Sequence, residues 1–276
     1  MKCGRMLLVG LLALVTLGTA VTASEVAVNG STTVQPIALE IQNWFLVSNP
    51  EINVTVEATG SGDGIAALIN GTTDIAMHSR QMKTSEYAQA VENGVFPVIY
   101  TVARDKIAVA VHPSNPIDNI TIDQLYAIWM GEITNWSELG GSDAPILVGS
   151  RDTSSGTFGV WKELVLNRQD YAAPNVTVVA SNAVMQETIK SEPNAIGYVG
   201  LAYTEGLKII TVDSQPASSA SYPVARALFI STNGQPTGDV AVVVDAFMGL
   251  VGQCAAIAHK YIPVWACDCD CTGVLP

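Results

Sequence analysis

Three short segments of this 276-residue chain carry the residue types that could do chemistry. They are Gly30-Ser31-Thr32-Thr33, Gly60-Ser61-Gly62-Asp63-Gly64 and Arg151-Asp152-Thr153-Ser154-Ser155-Gly156-Thr157, each set between an apolar extended run and a run of helical spacing. Glycine lets backbone approach closely, small hydroxyls donate, and the first turn of a helix leaves its N–H groups free at the positive end of the dipole. Such a segment suits an anion. Taken singly, each Ser or Thr reads as a helix cap and each Arg as half of a surface ion pair. Three segments together, with Ser79-Arg80 closing another strand-like run, predict one converging oxyanion site. A phosphate-like oxyanion offers acceptors and, when monoprotonated, one donor. A dry pocket for it needs many short donors, one or two guanidinium forks and at most a carboxylate. Ser31, Thr32, Thr33, Ser61, Ser79, Ser154, Ser155 and Thr157 would supply hydroxyls, Gly30, Gly62 and Gly156 close approach, and Arg80 and Arg151 charge.

Alternating strands and helices would position these loops. Glu25–Val28, Ile52–Ala58, Thr73–Ser79 and Pro145–Gly149 read as strands. Helices are expected from Val34, over Ile65–Ile69 and Thr84–Asn93, from the capping box Thr121-Ile-Asp-Gln124, and over Thr157–Leu166 and Ala183–Lys190. Phe96–Val111 is a long apolar extended run broken by Arg104-Asp105-Lys106, which predicts a strand passing from one domain to another. Lys208–Val212 reads as the return crossing, Ala225–Ser231 as another strand, and Gly238–Tyr261 as one long final helix. The alternation predicts an α/β fold with mainly parallel sheets and ligand loops at the carboxyl ends of the strands.

Composition narrows the function classes. Hydrophobic residues make up 49% and charged residues 14%, which excludes a disordered chain. Lys2 and Arg5 precede an apolar run ending near Ala23, so residues 1–23 read as a secretory signal, with an uncleaved anchor as the alternative. Removing those two positive charges takes the formal charge from −12 to −14, which argues against nucleic acid and anionic membranes as partners. A buried small anion is not excluded, because it responds to local dipoles and guanidinium groups rather than to screened surface carboxylates. Cys254, Cys267, Cys269 and Cys271 predict two disulfides stapling the C-terminal segment, with a metal site as the less expected reading of the C-x-C-x-C cluster.

Several motifs in order resemble one family. Asn29-Gly-Ser-Thr-Thr-Val-Gln-Pro-Ile-Ala38, Gly60-Ser-Gly-Asp-Gly-Ile65, Asp74-Ile-Ala-Met-His-Ser-Arg80 and Ser150-Arg-Asp-Thr-Ser-Ser-Gly-Thr-Phe158 are similar to the phosphate-binding motifs of PstS-type proteins, the extracytoplasmic receptors of phosphate ABC transporters. His112-Pro-Ser-Asn-Pro116 and Ala195-Ile-Gly-Tyr-Val199 extend the resemblance over most of the chain. It implies a periplasmic-binding-protein-like (type II) fold: two α/β lobes joined by two crossing segments, with a central cleft. Residues 24–104 plus 208–276 would form lobe one and 105–207 lobe two. Ser31, Thr32, Thr33, Ser61, Ser79 and Arg80 would face Arg151, Ser154, Ser155, Gly156 and Thr157 across the cleft. The partners implied are inorganic phosphate and the permease subunits, the chain being an exported monomer without cofactor, metal or catalysis.

One position departs from the family. Well-known members carry an Asp after the serine numbered Ser79 here, to accept the proton of monohydrogen phosphate, and this chain has Arg80. Asp63 or Asp152 would have to replace it to reject sulfate, unless they face solvent or pair with Arg151. The rival binding reading is another tetrahedral oxyanion such as sulfate, molybdate or tungstate. The rival enzymatic reading is a secreted phosphatase, for which His78 beside Ser79 would be the candidate base. His78, His112 and His259 are the only histidines, none in a metal-type spacing, and no Gly-Lys-Ser/Thr loop for nucleotides is present.

Overall fold

The computed structural model describes residues 24–265 and 270–276. The expected signal (residues 1–23), Cys267 and Cys269 lie outside them. The chain opens with β1 (Ser24–Gly30), α1 (Gln35–Ser48), β2 (Ile52–Glu57), α2 (Ser61–Ile69), β3 (Ile75–His78), α3 (Thr84–Glu92) and the 15-residue β4 (Pro97–Val111). It continues with β5 (Asn119–Ile120), α4 (Ile122–Met130), β6 (Leu147–Arg151), α5 (Gly156–Leu164), β7 (Val176–Val179), α6 (Asn182–Ser191) and β8 (Ala195–Gly200). Two short strands, β9 (Lys208–Ile209) and β10 (Thr211–Val212), precede β11 (Ala225–Asn233), α7 (Gly238–Met248), α8 (Leu250–Ala258) and β12 (Ile262–Pro263).

Local sequence explains the elements nearest the loops. In α1, Ile37, Ala38, Ile41 and Phe45 recur at helical spacing and are fully buried, each large side chain contributing about 2 kcal/mol, and Pro36 sits in the first turn where its missing N–H is harmless. In α4, Thr121 and Gln124 form the expected capping box, and Gly131 at φ 78° ends the helix. The last seven residues of β4 are all buried, as expected of a strand covered on both faces, although Asp105 and Lys106 are among them.

The strands run in the order β2-β1-β3-β11-β4-β8-β6-β7. The outer strands of each half pair in parallel, β1 with β2 and β3, β6 with β7 and β8. β11 and β4 are antiparallel to each other and to their outer neighbours. The sheet is therefore mixed rather than mainly parallel, because the chain crosses and returns along two adjacent strands at its middle.

Two separate cores flank that middle. One gathers Val28, Ile37, Phe45, Met77, Ala103, Leu228 and Phe247, the other Ile107, Ile128, Trp129, Trp161, Tyr198 and Val224. Along β4 the first core ends at Ala103 and the second begins at Ile107. The return requires a correction. Ile210, Val212, Ala217, Tyr222 and Val224 belong to the second core, so lobe two extends past the expected limit at 207, and the crossing falls between Val224 and Leu228. The apolar run at 208–212 packs beside β4 and β5 as two short strands and does not span the lobes.

The final helix also differs, breaking at Gly249 into α7 and α8 with a 48° bend. Gly252 crosses so close to the preceding helix that a Cβ there would lie 2.0 Å from the Phe247 carbonyl oxygen. Among the described residues no single helix is long and apolar enough to cross a membrane. A disulfide joins Cys254 to Cys271, holding the C-terminal tail on α8, and Leu275 packs on the first core.

Candidate functional site

Each predicted loop lies at the carboxyl end of a strand and leads into a helix. After β1, Gly30 takes φ 135°, and a Cβ there would sit 2.2 Å from the Met77 carbonyl oxygen, so no other residue lets β1 and β3 approach as they do. Ser31 turns back, its hydroxyl accepting the Thr33 N–H at 3.2 Å. The Gly60 N–H donates to the Gly30 carbonyl at 2.8 Å, tying the second loop to the first. Ser61 then opens α2, its hydroxyl accepting the Ser79 N–H at 3.0 Å and lying 3.3 Å from the Ser79 hydroxyl. In lobe two, Asp152 accepts from the Ser154 N–H and hydroxyl and from the Ser155 N–H, which folds the third loop. The Ser155 hydroxyl caps α5 by accepting the Phe158 N–H at 3.2 Å.

The loops of the two lobes meet. Thr33 and Thr157 hydroxyls are 3.2 Å apart, Arg151 Nη2 reaches the Thr32 hydroxyl at 3.3 Å, and the Gly62 N–H donates to the Ser154 carbonyl at 2.8 Å. A Cβ on Gly156 would stand 2.3 Å from Ser61 Oγ and 2.6 Å from Ser79 Oγ. Ser31, Thr32, Thr33, Ser61, Ser79, Arg151, Ser155, Gly156 and Thr157 are all buried here, and Ser154 is half-buried at the seam against Gly60.

Arg80 does not join them. Its guanidinium, itself buried, forms a bidentate pair with Glu86, at 2.7 and 2.6 Å, and its stem passes over Gly159 of α5. Burial pushes the Glu86 carboxyl up, but Arg80 and the Lys83 N–H more than offset this and hold it below its usual range. Arg80 is thus neutralised locally.

A different arginine stands in the cluster. Arg226, near the start of β11, donates to Thr157 at 2.8 Å, Thr33 at 3.1 Å and Ser79 at 3.3 Å, and binds Asp105 Oδ2 through Nε and Nη2 at 3.0 and 2.7 Å. Asp105 is fully enclosed. Burial pushes its carboxyl up, opposed by Arg226 and the Leu201 N–H. Asn182 at the head of α6 donates to Thr32 and Thr33 hydroxyls at 3.1 and 3.0 Å, its oxygen being fixed by the Gly200 N–H. Sequence reasoning missed all three. The available signals were a lone Arg in an apolar strand of an Arg-poor chain and the charged interruption of β4.

Arg151 is the most exposed to electrostatic argument. It is 1% accessible, donates to the Val179 and Ala180 carbonyls and to Thr32, and forms no ion pair with a carboxylate among the described residues. Its Nη1 has no partner. Burial lowers its pKa, with Tyr198 and Asp152 opposing. Neither proposed proton acceptor is free at the site: Asp63 is exposed, and Asp152 is spent on its own loop. A cleft of about 750 Å³ walled by Arg80, Lys83, Phe158 and Phe229 opens from solvent onto Arg226.

His78 is placed by strand alternation on the face opposite Ser79, where Nδ1 meets the Arg80 carbonyl at 2.8 Å and Nε2 the Ser231 hydroxyl at 2.6 Å. It cannot serve Ser79 as a base. Burial lowers its pKa to about 4, so the folded chain holds it neutral. Below the ordinary histidine pKa of about 6.5 the unfolded chain takes up a proton that the folded chain refuses, so stability falls as pH drops from there to about 4. The expected loss is about 3 kcal/mol for this group, and urea titrations across that range should show it shrink in His78→Gln.

The comparisons with known proteins agree with this fold. Residues 17–250 match the model of the PBP superfamily domain. The chain is 35% identical over 245 residues to the phosphate-binding protein PstS of Borreliella burgdorferi, covering 83% of this chain and 86% of that one. It is similar, at TM-score 0.80 and 28% identity over 88% of this chain and all of the other, to a Clostridium perfringens protein described as a phosphate ABC transporter substrate-binding protein and solved with phosphate bound. A Vibrio cholerae ABC-type phosphate transport receptor matches at TM-score 0.69 and 29% identity, over 87% of this chain and all of that one.

Proposed function

The chain belongs to the PBP superfamily and within it to the PstS phosphate-binding proteins, and from that premise we propose that it binds inorganic phosphate outside the cytoplasm and hands it to an ABC permease without chemical change. Arg151 carries the reading. A guanidinium with almost no solvent access, no carboxylate partner among the described residues and an unfilled Nη1 calls for an anion, and the hydroxyls of Thr32, Thr33, Ser79 and Thr157 gather beside it from both lobes. The ligand oxygens would be shared between Ser31, Thr32, Thr33, Ser61 and Ser79 on one side and Arg151, Ser155, Gly156 and Thr157 on the other, with Arg226 between them. An anion bridging both lobes stabilises the closed cleft, and that form is what a permease would read.

Two observations favour binding without chemistry. Ser79 has no base, since His78 is committed to the Arg80 carbonyl and Ser231, and no group of three metal-type ligands occurs among the described residues. Isothermal titration of the purified chain with inorganic phosphate should give one saturable site per chain, and a generic phosphomonoester should remain intact under the same conditions. No heat and no shift in Tm with phosphate would overturn the assignment.

A further inference from the structure

We propose that Tyr203 and Tyr261, two residues outside the cradle, are positioning residues of the phosphate site: each supplies a hydrogen-bond donor that the start of α1 withholds from the Thr32-Thr33 turn. The inference rests on the phosphate reading above and concerns how one wall of that same site is held.

The turn follows a helical path. The Ser31 carbonyl accepts from the Gln35 N–H at 3.0 Å and the Val34 carbonyl from the Ala38 N–H at 3.2 Å, each four residues on. On that path the Thr32 carbonyl should receive the N–H of residue 36. Residue 36 is proline, which has no N–H and whose ring crowds the carbonyl four residues back. The Thr33 carbonyl is also left over, because the Ile37 N–H turns to the Val34 carbonyl instead, at 3.0 Å. Two carbonyls of a buried turn thus lack their helical partners, and a buried acceptor left unmet is costly.

Both are met by phenols from distant parts of the chain. Tyr203 closes the short 3-10 turn after β8 and donates to the Thr32 carbonyl at 2.7 Å. Tyr261 follows α8 and donates to the Thr33 carbonyl at 2.7 Å. Burial pushes the Tyr203 hydroxyl up to about 12 and that of Tyr261 well above its ordinary value, so both keep the proton they give. Their anchorage differs. The Tyr203 ring packs on the lobe-two cluster of Val179, Met185, Ile189 and Val199, whereas Tyr261 lies in the first core. Tyr261 also lies inside the loop closed by Cys254–Cys271, where the Gln253 side chain joins the Val102 carbonyl to the Val264 N–H and β12 pairs with β4. The C-terminal tail therefore bears on the site through Tyr261.

Peptide geometry carries this to the anion. A peptide unit is planar, so holding the carbonyls of Thr32 and Thr33 fixes the planes on either side of Thr33. That sets the direction of the Thr33 side chain, whose hydroxyl meets Thr157 and Arg226, and restricts that of Thr32, whose hydroxyl meets Arg151. Without the phenols the ligand itself must order the turn, and that ordering weakens binding.

The test compares Tyr203→Phe and Tyr261→Phe, each alone and combined with Pro36→Ala in the whole chain, reading phosphate Kd by calorimetry and the Tm of the ligand-free protein. Each tyrosine variant should weaken phosphate binding roughly threefold to tenfold, the range of one hydrogen bond. Pro36→Ala restores an N–H for the Thr32 carbonyl and none for that of Thr33. It should therefore recover most of the affinity lost in Tyr203→Phe and none of that lost in Tyr261→Phe. A lower Tm with native Kd in both tyrosine variants would make the phenols merely structural and overturn the proposal while leaving the phosphate reading intact. Recovery of both variants alike, which is general helix stabilisation, or of neither, would overturn it as well. A native chain that gives no heat with phosphate would overturn the phosphate reading and this inference together.

Discussion

Replacing Arg151 with methionine is expected to weaken phosphate binding by about 2–5 kcal/mol, from a few tens to a few thousandfold in Kd, with little change in the Tm of the ligand-free chain. The size follows from the surroundings. Arg151 is nearly inaccessible, and the only acceptors it holds are the Val179 and Ala180 carbonyls and the Thr32 hydroxyl. In water-poor surroundings a charge-assisted bond to an anion is about twice as strong as a neutral one, and nothing else near Nη1 can replace it. The ligand-free stability changes little because two terms oppose. The two carbonyls lose donors, at about 1 kcal/mol each, while a buried charge without a counterion disappears. Calorimetry gives the first quantity and a thermal melt the second. Arg80→Ala is the contrast. Its guanidinium is already matched by Glu86, so its removal should cost phosphate binding far less than Arg151→Met does, and equal losses in the two variants would remove Arg151 from its assigned place.

That contrast marks where sequence reasoning stops. The three Gly/Ser/Thr loops were legible because a strand end, a tight turn and a helix start are local events, written in consecutive residues such as Gly30-Ser31-Thr32-Thr33. Their convergence was inferable only from the order of several motifs. Arg80 looked like the charge partner because it follows Ser79 directly, yet both lie past the end of β3, and adjacency says nothing about the carboxylate six residues on. Arg226 and Asp105 are 121 residues apart, on strands that pair only because the chain returns beside its own crossing. Nothing in the spacing shows this, although a charge buried in each of two apolar strands is a costly feature that asks for a partner. The return crossing was misplaced for a related reason. Lys208–Val212 is apolar enough for a crossing strand, but composition cannot distinguish that from two short strands closing the second core.

The Arg226–Asp105 pair yields a large effect of another kind, in which stability and binding separate. Both groups are nearly inaccessible, at 3% and 0% of the side chain, and Arg226 contacts hydroxyls from both lobes while sitting where the chain returns between them. Arg226→Met leaves a carboxylate enclosed with only the Leu201 and Lys106 N–H groups beside it, and removing one partner of a buried pair typically costs about 3–5 kcal/mol. The double variant Arg226→Met/Asp105→Asn removes the stranded charge and keeps an acceptor for Leu201. It should therefore recover most of the unfolding free energy measured in urea. Phosphate binding should not recover with it, because Thr33, Ser79 and Thr157 have lost the donor that orients them. If the double variant is as unstable as the single one, the stranded carboxylate is not the source of the loss. If it binds phosphate as the native chain does, Arg226 has no part in the cradle. The expected result, a restored fold with an unrestored site, would show that the pair costs little as a structural element and is kept for the anion.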